Sequence, residues 1–361
     1  MERISKIVEH PYPIYIGEIN AFDFEHFQQI IKAFSQVVII VDENTKKYCL
    51  PKILGIPSFR TAKIIELKSG ESTKTIQNAI DIWGKYTELN LDRNTLVVNL
   101  GGGVISDIGG FSASIFKRGL HYINIPTTLL AMIDASIGGK TGVNYKGFKN
   151  QLGVFSDPEV IFIDIDFLKT LPKRELYAGF AEIIKHALVM DPELWEMIIK
   201  ISPEQIYNQH EIIKRAVFVK SNIVNSDPLE KDIRKILNYG HTIAHAIESY
   251  SLNNDKNPLL HGEAVAIGII CETYISVIIN GLSNEKANLI YNYISSLFPI
   301  YYIDNNIIIK LLSIIKQDKK NRNGKVNFTL ISEIGKALID NNCNESLISE
   351  SIHFYTSLYK K

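Results

Sequence analysis

The fold class predicted is an α/β N-terminal half followed by a mostly α-helical C-terminal half, and three observations predict it. Up to about residue 170, β-branched apolar runs alternate with helix-period stretches, a pattern that favours parallel pairing through right-handed crossovers. Beyond that point nearly every apolar segment repeats with helical period. At 361 residues the chain is long for a single core. Two domains are therefore expected, 1–170 and 171–361, meeting near Thr170–Pro172.

"QVVIIVD" (36–42) is a continuous apolar run of the kind buried on both faces of a parallel sheet. "AKIIELKSGE" (62–71) is a second strand, and "STKTIQNAIDIWGKYTEL" (72–89) reads as a helix entered through Ser72. "TLVVNLGGG" (95–103) is a third strand, running straight into glycines, and "HYINIPTT" (121–128) and "EVIFIDIDFL" (159–168) supply two more. Between them, residues 126–153 mix five glycines with Thr127, Thr128, Asp134, Lys140, Lys149 and Asn150. That mixture is a poor core and a poor helix, so a ligand-facing loop is expected there. In the second half "ELYAGFAEIIKHALV", "EIIKRAVFVKSNIVN", "HTIAHAIESY" and "GEAVAIGIICETYISVII" read as helices, with "VNFTLIS" (326–332) as a late strand.

Hydrophobic residues at 46% and charged residues at 22% describe an ordinary globular chain. With a net charge of zero, nothing global favours nucleic acid or an anionic membrane, so attraction for an acidic ligand must come from local Lys and Arg. Cys49, Cys271 and Cys343 are widely separated and lack paired metal-ligand spacing, which implies free thiols in a reducing compartment. "MERISKIVEHPYPIYIG" offers no apolar signal core. The most membrane-like run, 262–279, is interrupted by Glu263 and Glu272 and is expected to be a buried core helix. These features point to a cytoplasmic protein.

"VVNLGGGVISDIGGFSAS" (97–114) places Gly101, Gly102 and Gly103 between a strand and a helix start. Glycines there let backbone N–H groups approach a phosphate, and the helix N-terminus favours its charge. The loop matches neither G-x-G-x-x-G nor a Walker motif, so a plain tight turn competes with ligand binding. Its context favours a Rossmann-like dinucleotide site, with Asp107 aimed into the crevice.

Nine histidines are present, and "LNYGHTIAHAIE" (237–248) puts His241 and His245 four apart, stacked on one helical face. The stretch is half of a zinc-protease motif with Thr242 where the base Glu belongs. Spacing alone nominates His241 and His245 as joint metal ligands, with Glu182 or His261 as a third. An isolated pair of this kind is often just a polar helix face. Glu182, Lys185 and His186 in "AGFAEIIKHALV", and His261 in "LLHGEAVAIG", tilt the balance toward a metal.

Taken together, "SGESTKT", "GGGVISDIGGFSAS", "RG" (118–119), "PTTLLAMIDASIGGKTGVN", "KN" (149–150), "LKTLPKREL", "GFAEIIKHALV", "LNYGHTIAHAIE", "HGEAVAIG" and "DKK" (318–320) resemble the 3-dehydroquinate synthase family, in order and over nearly the whole chain. The resemblance implies an NAD-binding α/β domain, a helical metal- and substrate-binding domain, one divalent metal (zinc, with cobalt as the alternative), and a cytosolic homodimer. It implies that 3-deoxy-D-arabino-heptulosonate 7-phosphate becomes 3-dehydroquinate and phosphate. The steps it implies are transient oxidation of the carbon-5 hydroxyl by NAD, β-elimination of phosphate, re-reduction, and an intramolecular aldol closure.

By motif, the metal ligands are Glu182, His241 and His261, with His245 facing the substrate and His186 a structural neighbour. For NAD the resemblance points to Asp42, Asn44, Glu71, Lys74, Gly102, Gly103, Val104, Asp107, Thr127, Thr128, Lys140, Lys149 and Thr170. For the substrate it points to Asp134, Lys140, Asn150, Lys185, Lys220, Arg234, Asn238, His245 and a lysine of the Asp-Lys-Lys run, Lys320 in preference to Lys319. Arg118 is the residue lent across the dimer. A cluster of Lys and Arg suits a sugar that carries both a carboxylate and a phosphate. Two departures stand out: Ala244 replaces a usual glycine, and "DPLEKDIR" (227–234) is atypical although Glu230 and Arg234 keep their spacing.

Three other readings compete with this one. Another sugar-phosphate cyclase, such as a 2-deoxy-scyllo-inosose synthase, would alter the carboxylate-facing residues that are kept here. An NAD- and metal-dependent alcohol or glycerol dehydrogenase would not need so many lysines, and a protein with a decayed site would have lost motif residues.

Overall fold

A computed structural model describes residues 4–8, 11–19, 31, 33–146, 148–316 and 326–358. By its contacts the chain divides into two units. The first comprises Met1–Pro172 with Tyr207–Asn225, and the second comprises Lys173–Ile206 with Ser226–Lys361. Tyr207–Asn225 thus groups with the first unit although it lies in the second half of the chain.

The first unit is built on a seven-stranded sheet: β1 (Ile4–Val8), β2 (Ile14–Gly17), β3 (Gln36–Asp42), β4 (Lys63–Leu67), β5 (Thr95–Gly101), β6 (His121–Pro126) and β9 (Ile161–Ile163), in the order β1-β2-β9-β6-β5-β3-β4. Every pairing is parallel except β1 with β2. The inner strands are β-branched because both faces are covered. Val38, Ile39, Ile40 and Val41 of β3 and Leu96, Val97 and Val98 of β5 are fully buried. Helices α1 (Glu43–Tyr48) and α2 (Leu50–Leu54) follow β3, α3 (Ile76–Glu88) follows β4, and α4 (Gly103–Ile115) follows β5. One core joins Val38, Ile40, Ile65 and Val97 of the sheet to Ala79, Ile82 and Tyr86 of α3, and to Ile105, Ile108 and Phe111 of α4.

Strand order decides where a ligand can sit. From β3 the chain steps outward to β4 and then back across to β5 on the other side of β3. A sheet of this kind opens a crevice at that reversal, beyond the carboxyl ends of the strands. Asp42 and Gly101 terminate the two strands that flank it.

Several sequence expectations need correction. The cap of α3 is Thr75, whose side chain accepts from Asn78 N, while Ser72 lies in a preceding 3-10 turn. The strand expected over 159–168 is only Ile161–Ile163, because Asp164 bends the chain by accepting from Asp166 N and pairing with Lys52 at 2.6 Å. Residues 126–153 are not a plain loop. After a π-helical turn at Ala131–Ala135 they form a hairpin, β7 (Lys140–Tyr145) with β8 (Phe148–Phe155). Leu129, Met132, Ile133, Ile137 and Val143 of this stretch are buried.

The second unit is helical: α5 (Lys173–Met190), α6 (Pro192–Ile198), α8 (His241–Asn254), α9 (His261–Asn280), α10 (Asn284–Leu297), α11 (Asn305–Lys316) and α12 (Glu345–Ser357). A hairpin of β10 (Val326–Glu333) and β11 (Lys336–Cys343) completes it, β11 being a strand the sequence reading missed. Helix α7 (His210–Ser226) lies almost wholly within the stretch that joins the first unit. Helix α9 packs against α5, α8, α10, α12 and β10. It is long and apolar enough to cross a membrane, but 72% of that window is buried inside the fold, as a core helix requires. All three cysteines are free and buried.

Candidate functional site

In the first unit, β5 delivers the chain into Gly102 and α4. No side chain caps this helix, so its first N–H groups face outward. A Cβ on Gly102 would stand 2.9 Å from Thr128 Cγ2, so a larger residue would press on that methyl and narrow the cradle beside the helix start. Gly103 and Val104 form the first turn, and Thr127 and Thr128 close the other side. This arrangement fits an anionic dinucleotide backbone. Asp42 partly serves the fold: its carboxylate accepts from Thr45 N at 2.8 Å and caps α1. Asn44 is exposed in that helix.

One turn into α4, Asp107 meets buried Lys74 at 2.5 Å. Burial raises the Asp107 carboxyl above its usual range, with the Lys74 ammonium working against that rise. Lys74 lies 4.0 Å and Lys149 3.8 Å from Glu71, which also accepts from Asn144 Nδ2 at 2.8 Å. The structure thus brings Glu71, Lys74, Asp107 and Lys149 together. Asn144 binds them: its backbone N–H donates to Lys74 O, and its side-chain oxygen accepts from Asn150 N, where φ is +49°. Sequence reading missed Asn144. Its only signal was its place in the glycine-rich segment.

Asp134, in the π-helical turn, pairs with Lys220 of α7, a contact inside the first unit. Lys140 opens β7 and is exposed, as are Arg118, at the end of a 3-10 turn, and Thr170, whose hydroxyl donates to Phe167 O. Lys319 and Lys320 lie outside the described residues.

In the second unit, α5 presents Glu182, Lys185 and His186 on a fully packed face. The Glu182 carboxylate is completely buried and is paired with Lys185. His241, the first residue of α8, places Nε2 3.5 Å from Glu182 Oε1, and His261, the first residue of α9, places Nε2 3.4 Å from the same atom. Ligands held about 2.1 Å from one tetrahedral ion stand about 3.4 Å from one another. A divalent metal therefore fits these three residues. Among the described residues, this ligand-atom group contains His241 and leaves out His245, which favours the motif's ligand set over the pairing suggested by spacing. The His245 ring centroid is 5.3 Å from that of His241 and 6.2 Å from that of His261.

The electrostatics suit a cation. Burial, then the charge of Lys185 and the neighbouring histidines, pushes His241 well below the usual imidazole range and keeps it neutral. Burial also works to lower His261, but the carboxylates of Glu248 and Glu182 outweigh it and push the group up to about 10. Without a metal, this ring carries a proton that an ion would displace.

The atypical 227–234 loop is held by Asp227, whose carboxylate accepts from the N–H groups of Lys231, Asp232 and Arg234. Arg234 is buried and donates to Pro228 O, and Asn238 donates to Glu230 at 2.8 Å.

Sequence reading also missed the carboxylates that brace the histidines. Glu248 meets His261 Nδ1 at 3.2 Å. Glu272 accepts from Gly240 N and Ile243 N, capping the start of α8 from the neighbouring helix. Glu263 is gripped by Arg174 through Nε and Nη2, both at 2.7 Å, and accepts from Leu260 N. The signals were available: Glu248 is seven residues beyond His241, on the same helical face, and Glu272 interrupts an apolar run. Gly262 sets the closeness of α9 to α5, since a Cβ there would fall 1.8 Å from Ala178 O.

Family models for the 3-dehydroquinate synthase N-terminal and C-terminal regions match residues 64–178 and 179–321. A relative from Parabacteroides distasonis named 3-dehydroquinate synthase is 41% identical over 324 residues, covering 89% of this chain and 92% of its own. A 2-deoxy-scyllo-inosose synthase structure complexed with carbaglucose-6-phosphate, NAD+ and Co2+ superposes with a TM-score of 0.81 at 25% identity, covering 94% of this chain and 96% of its own. The structure of 2-epi-5-epi-valiolone synthase from Streptomyces hygroscopicus, with NAD+ and Zn2+ bound, has a TM-score of 0.84 at 24% identity, covering 98% and 99%.

Proposed function

The chain belongs to the 3-dehydroquinate synthase family, and from that premise we propose a residue-by-residue account of its activity. It is an NAD- and metal-dependent lyase that converts 3-deoxy-D-arabino-heptulosonate 7-phosphate to 3-dehydroquinate and phosphate. When bound, NAD+ takes and later returns a hydride at one substrate carbon, and a divalent ion acts as a Lewis acid on oxygen.

The cradle of Gly102, Gly103 and Val104, closed by Thr127 and Thr128, receives the dinucleotide phosphates. Asp42, Asn44, Glu71, Lys74, Asp107, Lys140, Lys149 and Thr170 complete the cofactor contacts. Glu182, His241 and His261 hold the ion, zinc or cobalt. The convergence of these three on one point carries the reading.

Substrate charge is met by cations. Lys140, Asn150 and Lys220, the last paired with Asp134, are the first unit's residues for the substrate's carboxylate and phosphate, and Arg234, Asn238 and Lys320 are those of the rest of the chain. Lys185 orients the Glu182 carboxylate, and His245 stands beside the ligands to hold or pass a proton at the reacting hydroxyl. A site that regenerates its cofactor on every turnover must also exclude water while the intermediates exist. We further propose a cofactor-binding domain of 1–170 that also takes in Tyr207–Asn225, a metal- and substrate-binding domain over the rest of 171–361, a cytoplasmic homodimer, and Arg118 lent to the site of the second copy.

Phosphate release, followed together with nicotinamide absorbance, tests the reaction. The expected outcome is phosphate released without net NADH, abolished by a chelator and restored by Zn2+ or Co2+. Stoichiometric NADH build-up would make the protein a dehydrogenase and end the proposal.

A further inference from the structure

Both histidines beside Glu182 present Nε2 to the carboxylate, so each must be held from behind through Nδ1. The two holds are of different kinds. His241 Nδ1 lies 3.1 Å from the carbonyl oxygen of Tyr239, two residues earlier in its own chain segment. His261 Nδ1 lies 3.2 Å from a carboxylate oxygen of Glu248, which comes from the opposite helix, α8. Glu248 is only 4% exposed. A carboxylate buried this deeply is costly unless it meets a cation or a strong donor, and the His261 ring is such a donor.

We propose that Glu248 is a positioning residue of the metal centre. It fixes the His261 tautomer with the proton on Nδ1, aims Nε2 at the ion, and strengthens that nitrogen as a donor. The inference rests on the reading of Glu182, His241 and His261 as ligands. A metal-bound imidazole hydrogen-bonded to a carboxylate is a stronger donor than one hydrogen-bonded to an amide carbonyl, and loss of such a partner typically lowers metal affinity 10–100-fold. The centre is therefore asymmetric: the His261 side carries an added negative charge one ring away from the ion, and the His241 side is backed by a neutral dipole.

The test is Co2+ binding to chelator-stripped protein, read by competition with a metallochromic chelator and by the visible spectrum of the bound ion. Glu248→Gln preserves size and loses charge. It is expected to fold, to weaken Co2+ binding about 10–100-fold, and to shift the absorption bands. Equal affinity with an unchanged spectrum overturns the role of Glu248. Failure of the wild-type protein to bind Co2+, or unchanged affinity in Glu182→Gln, overturns the ligand reading instead. Should Glu248→Gln fail to fold, nitrogen-15 histidine spectra of the Zn2+-loaded wild-type protein decide the matter. A slowly exchanging proton on His261 Nδ1 supports the proposal, and metal bound through Nδ1 of His261 refutes it.

Discussion

Replacing Gly262 by alanine tests whether the approach of two helices sets the metal geometry. The added Cβ would sit 1.8 Å from Ala178 O and 2.4 Å from the carbon of the same carbonyl. Real contacts of this kind begin near 3.0 Å, so the backbones must part by roughly 1.2 Å. Backbone atoms cannot swing aside as a side chain could. Overpacking of this sort costs about 1–3 kcal/mol, or about 2–4 °C in Tm for each kcal/mol in a unit of this size. The larger effect falls on the ligands. Gly262 adjoins His261, and Ala178 is one turn before Glu182, so the 3.4 Å separation of their ligand atoms absorbs much of the displacement. Metal–ligand bonds tolerate only about 0.2 Å. Gly262→Ala should therefore emerge folded, with a lowered Tm and with metal affinity reduced by more than about 100-fold, the upper figure for loss of a merely supporting group. Gly84→Ala supplies the contrast. It lies within α3 with nothing within 4 Å of the would-be Cβ, and it should raise stability by about 0.5–1 kcal/mol. Thermal unfolding with and without Zn2+, together with metal analysis after dialysis, checks both variants. Wild-type Tm and full metal content in Gly262→Ala would refute the reasoning.

Two further outcomes concern the histidines. His245→Ala should lose turnover at least about 100-fold while retaining metal after dialysis, and His241→Ala should lose both; metal-free His245→Ala would restore the joint-ligand assignment. The second is a pH effect. In the metal-free protein the His261 group is raised from 6.5 to about 10, so its contribution to stability is complete below pH 6.5 and is lost as pH rises toward 10. Zn2+ takes the place of that proton. Uptake near pH 8 should release about one proton to a pH indicator, and the metal-loaded Tm should fall less steeply over the same range than the metal-free Tm. Parallel profiles would count against this account.

The inner sheet was legible because β3 carries an unbroken β-branched run from Val37 to Val41 and β5 an apolar run interrupted by Asn99, and such runs belong in a covered sheet. The short β9 was not, since the apolar pattern of residues 159–168 continues past the point where Asp164 turns the chain through its side-chain bonds. Glycines concealed the hairpin at 140–155: they read as loop punctuation, yet here they permit close strand pairing, Gly142 lying opposite Gly153. At the metal centre, local spacing favoured His241 with His245, because neighbours on one helix are all that spacing can see. Glu182 and His261 come from two other helices, and no single-helix pattern contains that convergence. The residues alone put forward only one of the two, Glu182 or His261, as a third ligand, and family resemblance supplied both. The bracing carboxylates escaped notice because a lone Glu in an apolar helix looks like an interruption until the backbone amides or imidazole it serves are brought to it.

The grouping of Tyr207–Asn225 with the N-terminal unit bears on how the molecule comes off the ribosome. The sheet, with its glycine turn, can be assembled once residue 172 has emerged, but Lys220, the partner of Asp134, is then still to be translated. The unit that holds the cradle must wait through the first helices of its neighbour before it is whole. A gene fragment cut at residue 172 would encode a sheet lacking one of its own helices, so the two halves are interleaved in synthesis and cannot be exchanged as independent cassettes.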